Sequence, residues 1–183
     1  MHKIMAELHQ DHHNLARVLR IMESQLERLR KGDHEDLYLL HDATRYIHNY
    51  PDLIHHPKEN KVFEIFKSRS NEADEIVAKL SKQHQELPQA TVKFQLMLDD
   101  AINGQGLVNR EELVEKIKGF IANEWEHMNL EEDVLFPLIE TTLTDEDWAH
   151  LDDQISKTND PLFSEMIEES YDNLYQSIKT QAV

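Results

Sequence analysis

The chain has 183 residues and a formal net charge of −17, with no cysteine, 4 glycines and 5 prolines. So acidic a chain suits neither nucleic acid nor an anionic membrane, both of which reward clustered Lys and Arg. Without cysteine there is no disulfide, zinc ribbon, iron–sulfur ligand or thiol nucleophile.

Scarce Gly and Pro beside plentiful Leu, Glu, Lys and Ile predict an all-α domain, long enough to bury a real core. The start lacks a signal-like apolar block and no run reaches membrane-spanning length, so a cytoplasmic protein is expected. Ile4, Leu8, Leu15, Leu19, Met22, Leu26 and Leu29 recur at three, four or seven. They predict a first helix from about residue 3 to Lys31, with Gly32 as its stop.

A second helix is expected to start between Asp33 and Glu35, carrying Leu37, Leu40, Thr44 and Ile47 inward. Pro51 and Pro57 predict a kink or short break there, before it resumes through Glu59, Val62, Phe63 and Phe66. The third is expected from Ser70 or Asn71, through Ile76, Leu80, Leu87, Phe94 and Met97, with a kink at Pro88 and an end at Asn103 to Gly106. Asn109 with Glu112 reads as a capping box for a fourth helix running to about Thr141. Thr144 with Asp147 caps a short fifth helix, Asp160-Pro161 is a turn, and Ser164 to about Lys179 is a last amphipathic helix. Residues 1–142 would form the bundle, and 143–183 a C-terminal helical extension lying on it or in a dimer contact.

His12, His55 and Glu59 recur as His84, His127 and Glu131, each displaced by the same 72 residues. Chance would not copy both an H-x-x-x-E unit and its distance to a lone upstream His. The chain reads as two copies of one helix pair. From His12 to Gly32, and from Glu35 to His55, are each 20 residues, about 30 Å of helix. An antiparallel hairpin therefore brings His12 and His55 to one level, and the second hairpin does the same for His84 and His127.

Residues at i and i+4 share a helix face. His55/Glu59 and His127/Glu131 each offer a nitrogen and a carboxylate to adjacent metal positions. Four imidazoles and two carboxylates are too many costly polar groups for a plain core, and they suit two metal ions. Glu59 and Glu131 would bridge, with two His on each ion. Such ligands suit iron, manganese or zinc.

Any one of these histidines alone would more often be a surface or hydrogen-bonded group; the repeat is what argues otherwise. His56 sits about 100° round the helix from His55, and the Pro57 distortion makes it a candidate extra ligand. His41 and His48 read as solvated or ligand-orienting groups, and His9 and His13 as surface residues. Tyr46 and Tyr50 read as core aromatics near the site, and Phe63, Phe120, Trp125 and Phe136 as packing. Glu132 and Asp133 read as a solvated face.

The pattern H…HxxxE…H…HxxxE resembles the hemerythrin-like, or HHE, cation-binding domain. Tyr50-Pro51-Asp52, His55-His56-Pro57-Lys58-Glu59, and His127 to Glu131 followed by Val134-Leu135-Phe136-Pro137 are similar to its signatures, over about residues 1–141. The resemblance implies an antiparallel up-down-up-down four-helix bundle with two iron ions in a non-haem di-iron centre, oxo-bridged when oxidised. His12, His55, Glu59, His84, His127 and Glu131 match its metal-ligand positions one by one.

Two features depart from the family's known roles. Pro88 stands where oxygen-carrying hemerythrins have a second His, and the cysteine segment of nitric-oxide-responsive repair proteins is absent. The expected function is binding or sensing of a small ligand such as O2, NO or peroxide, with an iron-handling or stress-response role, rather than catalysis. The rivals are a di-iron oxidase or peroxidase and a metal-free helical structural protein.

Overall fold

Leucine and isoleucine at helical spacing, with ends marked by glycine and capping side chains, dictate most of the architecture. In a computed structural model, residues 1–104, 109–156 and 158–181 are described. They are all-helical, with no strand among them. Helix α1 spans Lys3–Lys31 and ends on Gly32, whose φ of 78° places it in the left-handed region. Its amide reaches back to the Leu29 carbonyl, with basic residues in the last turn, as the helix dipole favours.

Helix α2 spans Leu37–Ile47. It starts later than the sequence predicts because the Asp36 side chain accepts the Leu39 N–H and sets the cap there. The expected break at Pro51 is instead a π-helical stretch, His48–His55, leading without interruption into α3, His56–Arg69. Pro51 has no N–H and its ring crowds the carbonyl four residues back; a wider turn relieves both problems. The same device recurs after α5 (Arg110–Leu130), where π-helical Glu131–Leu135 leads into α6, Phe136–Thr142. Pro57 and Pro137 each lie in the first turn of the following α-helix, where a missing N–H costs least.

Helix α4 spans Asp74–Asn103, starting after the predicted Ser70 or Asn71. Ser70 is extended and accepts the Glu72 amide on its hydroxyl, so the chain turns first. The helix runs unbroken through Pro88. Two side chains bond back across it, Gln89 to the Gln85 carbonyl and Thr91 to that of Leu87. Gly104, at φ 66°, closes it; the rest of the predicted turn, from Gln105, lies outside the described residues. Asn109 accepts the Glu112 amide as expected. The full reciprocal box forms at Thr144 and Asp147, at the head of α7, Asp145–Gln154.

Helices α1 and α2–α3 run antiparallel, joined by contacts from Gln25–Asp36 at one end to His12–His55 further along. Helices α4 and α5 pair in the same sense, through Phe94–Phe120 and Gln83–His127. Trp125–Glu23 and His12–Glu132 tie α5 to α1, and His41–Asp99 and His84–Asn60 tie α4 to α2–α3.

The apolar interior falls into two clusters. One gathers Leu15, Leu19, Leu40, Ile47, Phe94 and Ile117. The other gathers Leu8, Val62, Phe66, Leu80, Leu135 and Ile139. In α1, His12 lies between Leu8 of one and Leu15 of the other.

Beyond α7 the chain differs from expectation. The last helix, α8, starts at Asp172, after a short 3-10 turn at Glu169–Tyr171, and not at Ser164. Asp160 explains the delay: its carboxylate accepts the Leu162 and Phe163 amides, plus Tyr46 Oη and Asn14 Nδ2, fixing a turn. Leu162, Leu174 and Ile178 join the first apolar cluster beside α1 and α2. Replacing fully buried Leu162 by Ala should therefore cost about 2–5 kcal/mol of unfolding free energy by denaturant titration. An unchanged midpoint would mean this segment adds nothing to the core.

Candidate metal centre

Four helical runs bring imidazoles, and two of them a carboxylate as well, to the level between the two apolar clusters. His12 comes from α1, His84 from α4, His55, His56 and Glu59 from the π-turn and α3, His127 from the end of α5 and Glu131 from the start of the π-turn after it. All are buried, and Glu59 and Glu131 have no exposure at all.

The Nε2 atoms point inward. His12 Nε2 lies 3.0 Å from His55 Nε2, 3.5 Å from Glu59 Oε1 and 3.4 Å from Glu131 Oε2. His55 Nε2 is 3.1 Å from Glu59 Oε1. His84 Nε2 is 3.2 Å from Glu131 Oε1 and 3.4 Å from Glu59 Oε2. His127 Nε2 stands 3.4 Å from Glu131 Oε2. The six repeat residues thus meet in one place.

The outward nitrogens are held. His12 Nδ1 lies 2.7 Å from Glu132, His55 Nδ1 3.1 Å from Asp11, His84 Nδ1 2.8 Å from Asn60, and His127 Nδ1 3.2 Å from Gln83. When each Nδ1–H donates outward, each Nε2 presents a lone pair to the centre, which is how metal-binding imidazoles are aimed. Phe136 stacks on His12 and Phe63 on His84, fixing the ring planes.

These donors fit metal ions. Ligands at about 2.1 Å from one ion sit about 3.0 Å apart at a right angle and about 3.4 Å apart at the tetrahedral angle. The observed spacings of 3.0 to 3.5 Å match that range to within 0.1 Å. Two groups could each hold an ion: His12, His55 and Glu59; and His56, Glu59, His84 and His127. Both Glu59 oxygens, Glu131 Oε2 and His127 Nε2 are buried without a hydrogen-bond partner, a costly state unless a cation meets them.

His56 stacks on His84 at 4.4 Å between ring centroids and meets His127 edge-on. Glu132 is no solvated face: it clamps His12 and His9, 2.7 Å from each. His9 is correspondingly half-buried, while His13 and Asp133 are exposed. His41 pairs with Asp99 away from the centre. Tyr50 Oη donates to Asp11, and so touches the centre only through His55's partner.

Sequence patterning does not single out Asp11, Asn60 or Gln83, and it places Glu132 on a solvated face. Yet Asp11/Gln83 and Asn60/Glu132 share the 72-residue displacement of the inner residues, a signal that could have found them. So do Asp52 and Glu124, whose buried carboxylates lie without hydrogen-bond partners near His56 and Glu131.

Electrostatics follow from burial and neighbours. Burial pushes the Glu59 carboxyl up, but the imidazoles of His55 and His12 outweigh it and hold it well below its usual range. Burial and Glu59 push Glu131 up, yet His127, His12 and His84 bring it down. Burial would lower His12, but Glu131, Glu132 and Glu59 raise it well above the ordinary imidazole value. His55 is raised to about 9 in the same way, by Glu59 and Asp11 against burial. Burial dominates at His56 and His127, and both are lowered. Glu124 is pushed up to about 8 by burial, then by Asp52 and Glu131.

Without metal, protons on His12 and His55 are what balance the carboxylates. His55 titrates near 9 folded and at 6.5 unfolded, so its contribution is whole below about pH 6.5 and is lost as pH rises through 9. Glu124, at about 8 against 4.5, acts in the same direction. The metal-free protein should therefore melt several degrees lower at pH 9 than at pH 6.5; a flat or rising profile by calorimetry would contradict this. Metal retention should show the opposite trend, failing below about pH 6 as protons compete for the imidazoles.

Mutation should separate bridging from terminal residues. Glu59→Ala or Glu131→Ala should strip both metals, since each carboxylate faces both groups of imidazoles. His12→Ala or His84→Ala should loosen one ion first. Equal, slight losses in all four variants by metal analysis would refute the bridging roles.

No curated protein and no solved structure matches the chain. The family model of the hemerythrin HHE cation-binding domain matches residues 3–139. With the match covering most of the chain and the clustered His and Glu in place, the protein belongs to the hemerythrin HHE cation-binding domain family.

Proposed function

We propose that residues 1–142 are an up-down-up-down four-helix bundle holding two iron ions, and that the protein binds or senses a small ligand such as O2 or NO. Residues 143–183 are its C-terminal helical extension. The observation that carries this reading is the pair of inward-facing ligand groups sharing Glu59. His12 and His55 serve one position, and His84, His127 and His56 the other, with Glu59 and Glu131 between them.

Iron at such a centre would supply an open position for a small ligand such as O2 or NO. The chain's own residues aim the imidazoles, compensate the buried carboxylates and exclude bulk water. The first position has one imidazole fewer, so it is the one with room for an exogenous ligand. A depression of about 260 Å³, lined by His9, His12, His13, Met128, Asn129 and Glu132, lies on that side. With no cysteine in the chain to relay electrons, binding is favoured over turnover.

The test is ligand titration of iron-loaded protein. Azide or NO should shift the optical spectrum with about one ligand per pair of ions, and His56→Ala should move that ratio toward two. A spectrum indifferent to both ligands in both oxidation states would refute the reading. Sustained peroxide turnover would favour the oxidase or peroxidase alternative.

A further inference from the structure

We propose that the two metal positions are electrically unequal: Asp11 and Glu132 make the His12–His55 position the seat of the more highly charged ion, while Asn60 and Gln83 keep the His84–His127 position for a divalent one. The inference rests on the dinuclear reading above.

The 72-residue repeat reaches the four residues behind the imidazoles, and there its chemistry breaks. His55 leans on Asp11 at 3.1 Å, and its counterpart His127 leans on Gln83 at 3.2 Å. His12 leans on Glu132 at 2.7 Å, and its counterpart His84 on Asn60 at 2.8 Å. Geometry is copied; charge is not. Both imidazoles of the first position donate to carboxylates, and both copied imidazoles of the second donate to neutral carboxamides.

An imidazole whose N–H donates to a carboxylate carries more negative charge on its other nitrogen, so it is the stronger donor to a highly charged ion. Hydrogen bonds to an ionised acceptor are also the stronger ones. The carboxylates therefore act through the ligand ring, without touching the ion.

Several neighbours work against this contrast, and none removes it; Tyr50 Oη donates to Asp11, but to the oxygen that does not meet His55. Lys58 Nζ stands 3.7 Å from Asp11, but it also faces Glu7 at 3.9 Å, and among the described residues no Lys or Arg pairs with Glu132, which is shared with His9. Asp52 stands behind His56 of the second position, but at 3.6 Å, with neither carboxylate oxygen in a hydrogen bond. The direct hydrogen bonds decide the difference.

Full-length apoprotein loaded with equimolar ferric iron and zinc provides the test, with anomalous diffraction at both absorption edges locating each metal. Iron should lie beside His12 and His55 and zinc beside His84 and His127, with a preference of at least about tenfold, the scale typical of residues behind metal ligands. The Asp11→Asn, Glu132→Gln double variant should scramble the two. The Asn60→Asp, Gln83→Glu double variant should do the same, by raising charge at the other position, and serves if the first fails to fold. Scrambled metals in the unsubstituted protein, or an unchanged preference in a variant that still binds two ions, would overturn the proposal. Binding of a single ion in total would instead sink the dinuclear reading beneath it.

Discussion

Two carboxylates with no solvent exposure, Glu59 and Glu131, face one another's imidazoles in the middle of a helical interior. Moving such charges out of water costs several kcal/mol each unless opposite charge meets them. Almost everything around them can be read as an answer to that cost. His12 and His55 are driven to hold protons when no metal is there, against a burial effect that would strip them. Apolar clusters seal the layer on both sides, which strengthens every attraction inside it. The metal-binding account and the stability account are therefore one account.

The helices bend to serve this layer. A regular α-helix through Pro51 would lose a hydrogen bond and force a clash. The wider turn at His48–His55 avoids the clash and ends with His55 and His56 both buried, on neighbouring directions. A second wide turn begins at Glu131 itself, so both H-x-x-x-E units adjoin local rewinding. Short π-helical stretches concentrate at functional sites because they redirect side chains without ending the helix. Sequence patterning anticipates a disturbance at Pro51 and Pro57 but cannot choose between a break and a rewound turn, since both relieve the same clash.

Much of the centre is legible because metal chemistry constrains spacing so tightly. His12, His55, Glu59 and their displaced copies need no structure to be noticed, and their side chains do meet in one buried layer. The side chains behind the imidazoles carry no such signature. Asp11, Asn60 and Gln83 are ordinary polar residues on amphipathic helices, and only their neighbours in space make them special. Glu132 departs from the expected solvated face because, although acidic runs usually face water, this carboxylate turns back to clamp His12 and His9. Helix starts moved for an equally local reason. Asp36 sets the start of α2, and the Asp160 turn, which holds four donors, delays the last helix to Asp172.

The stoichiometry of the centre is the claim on which the others stand. Anaerobic titration of the metal-free protein with ferrous iron, followed by calorimetry and by the protons released, tests it most directly. The account predicts saturation at two ions per chain, with proton release as His12 and His55 give up the protons that stood in for metal. Saturation at one ion, or no binding at neutral pH, would contradict it.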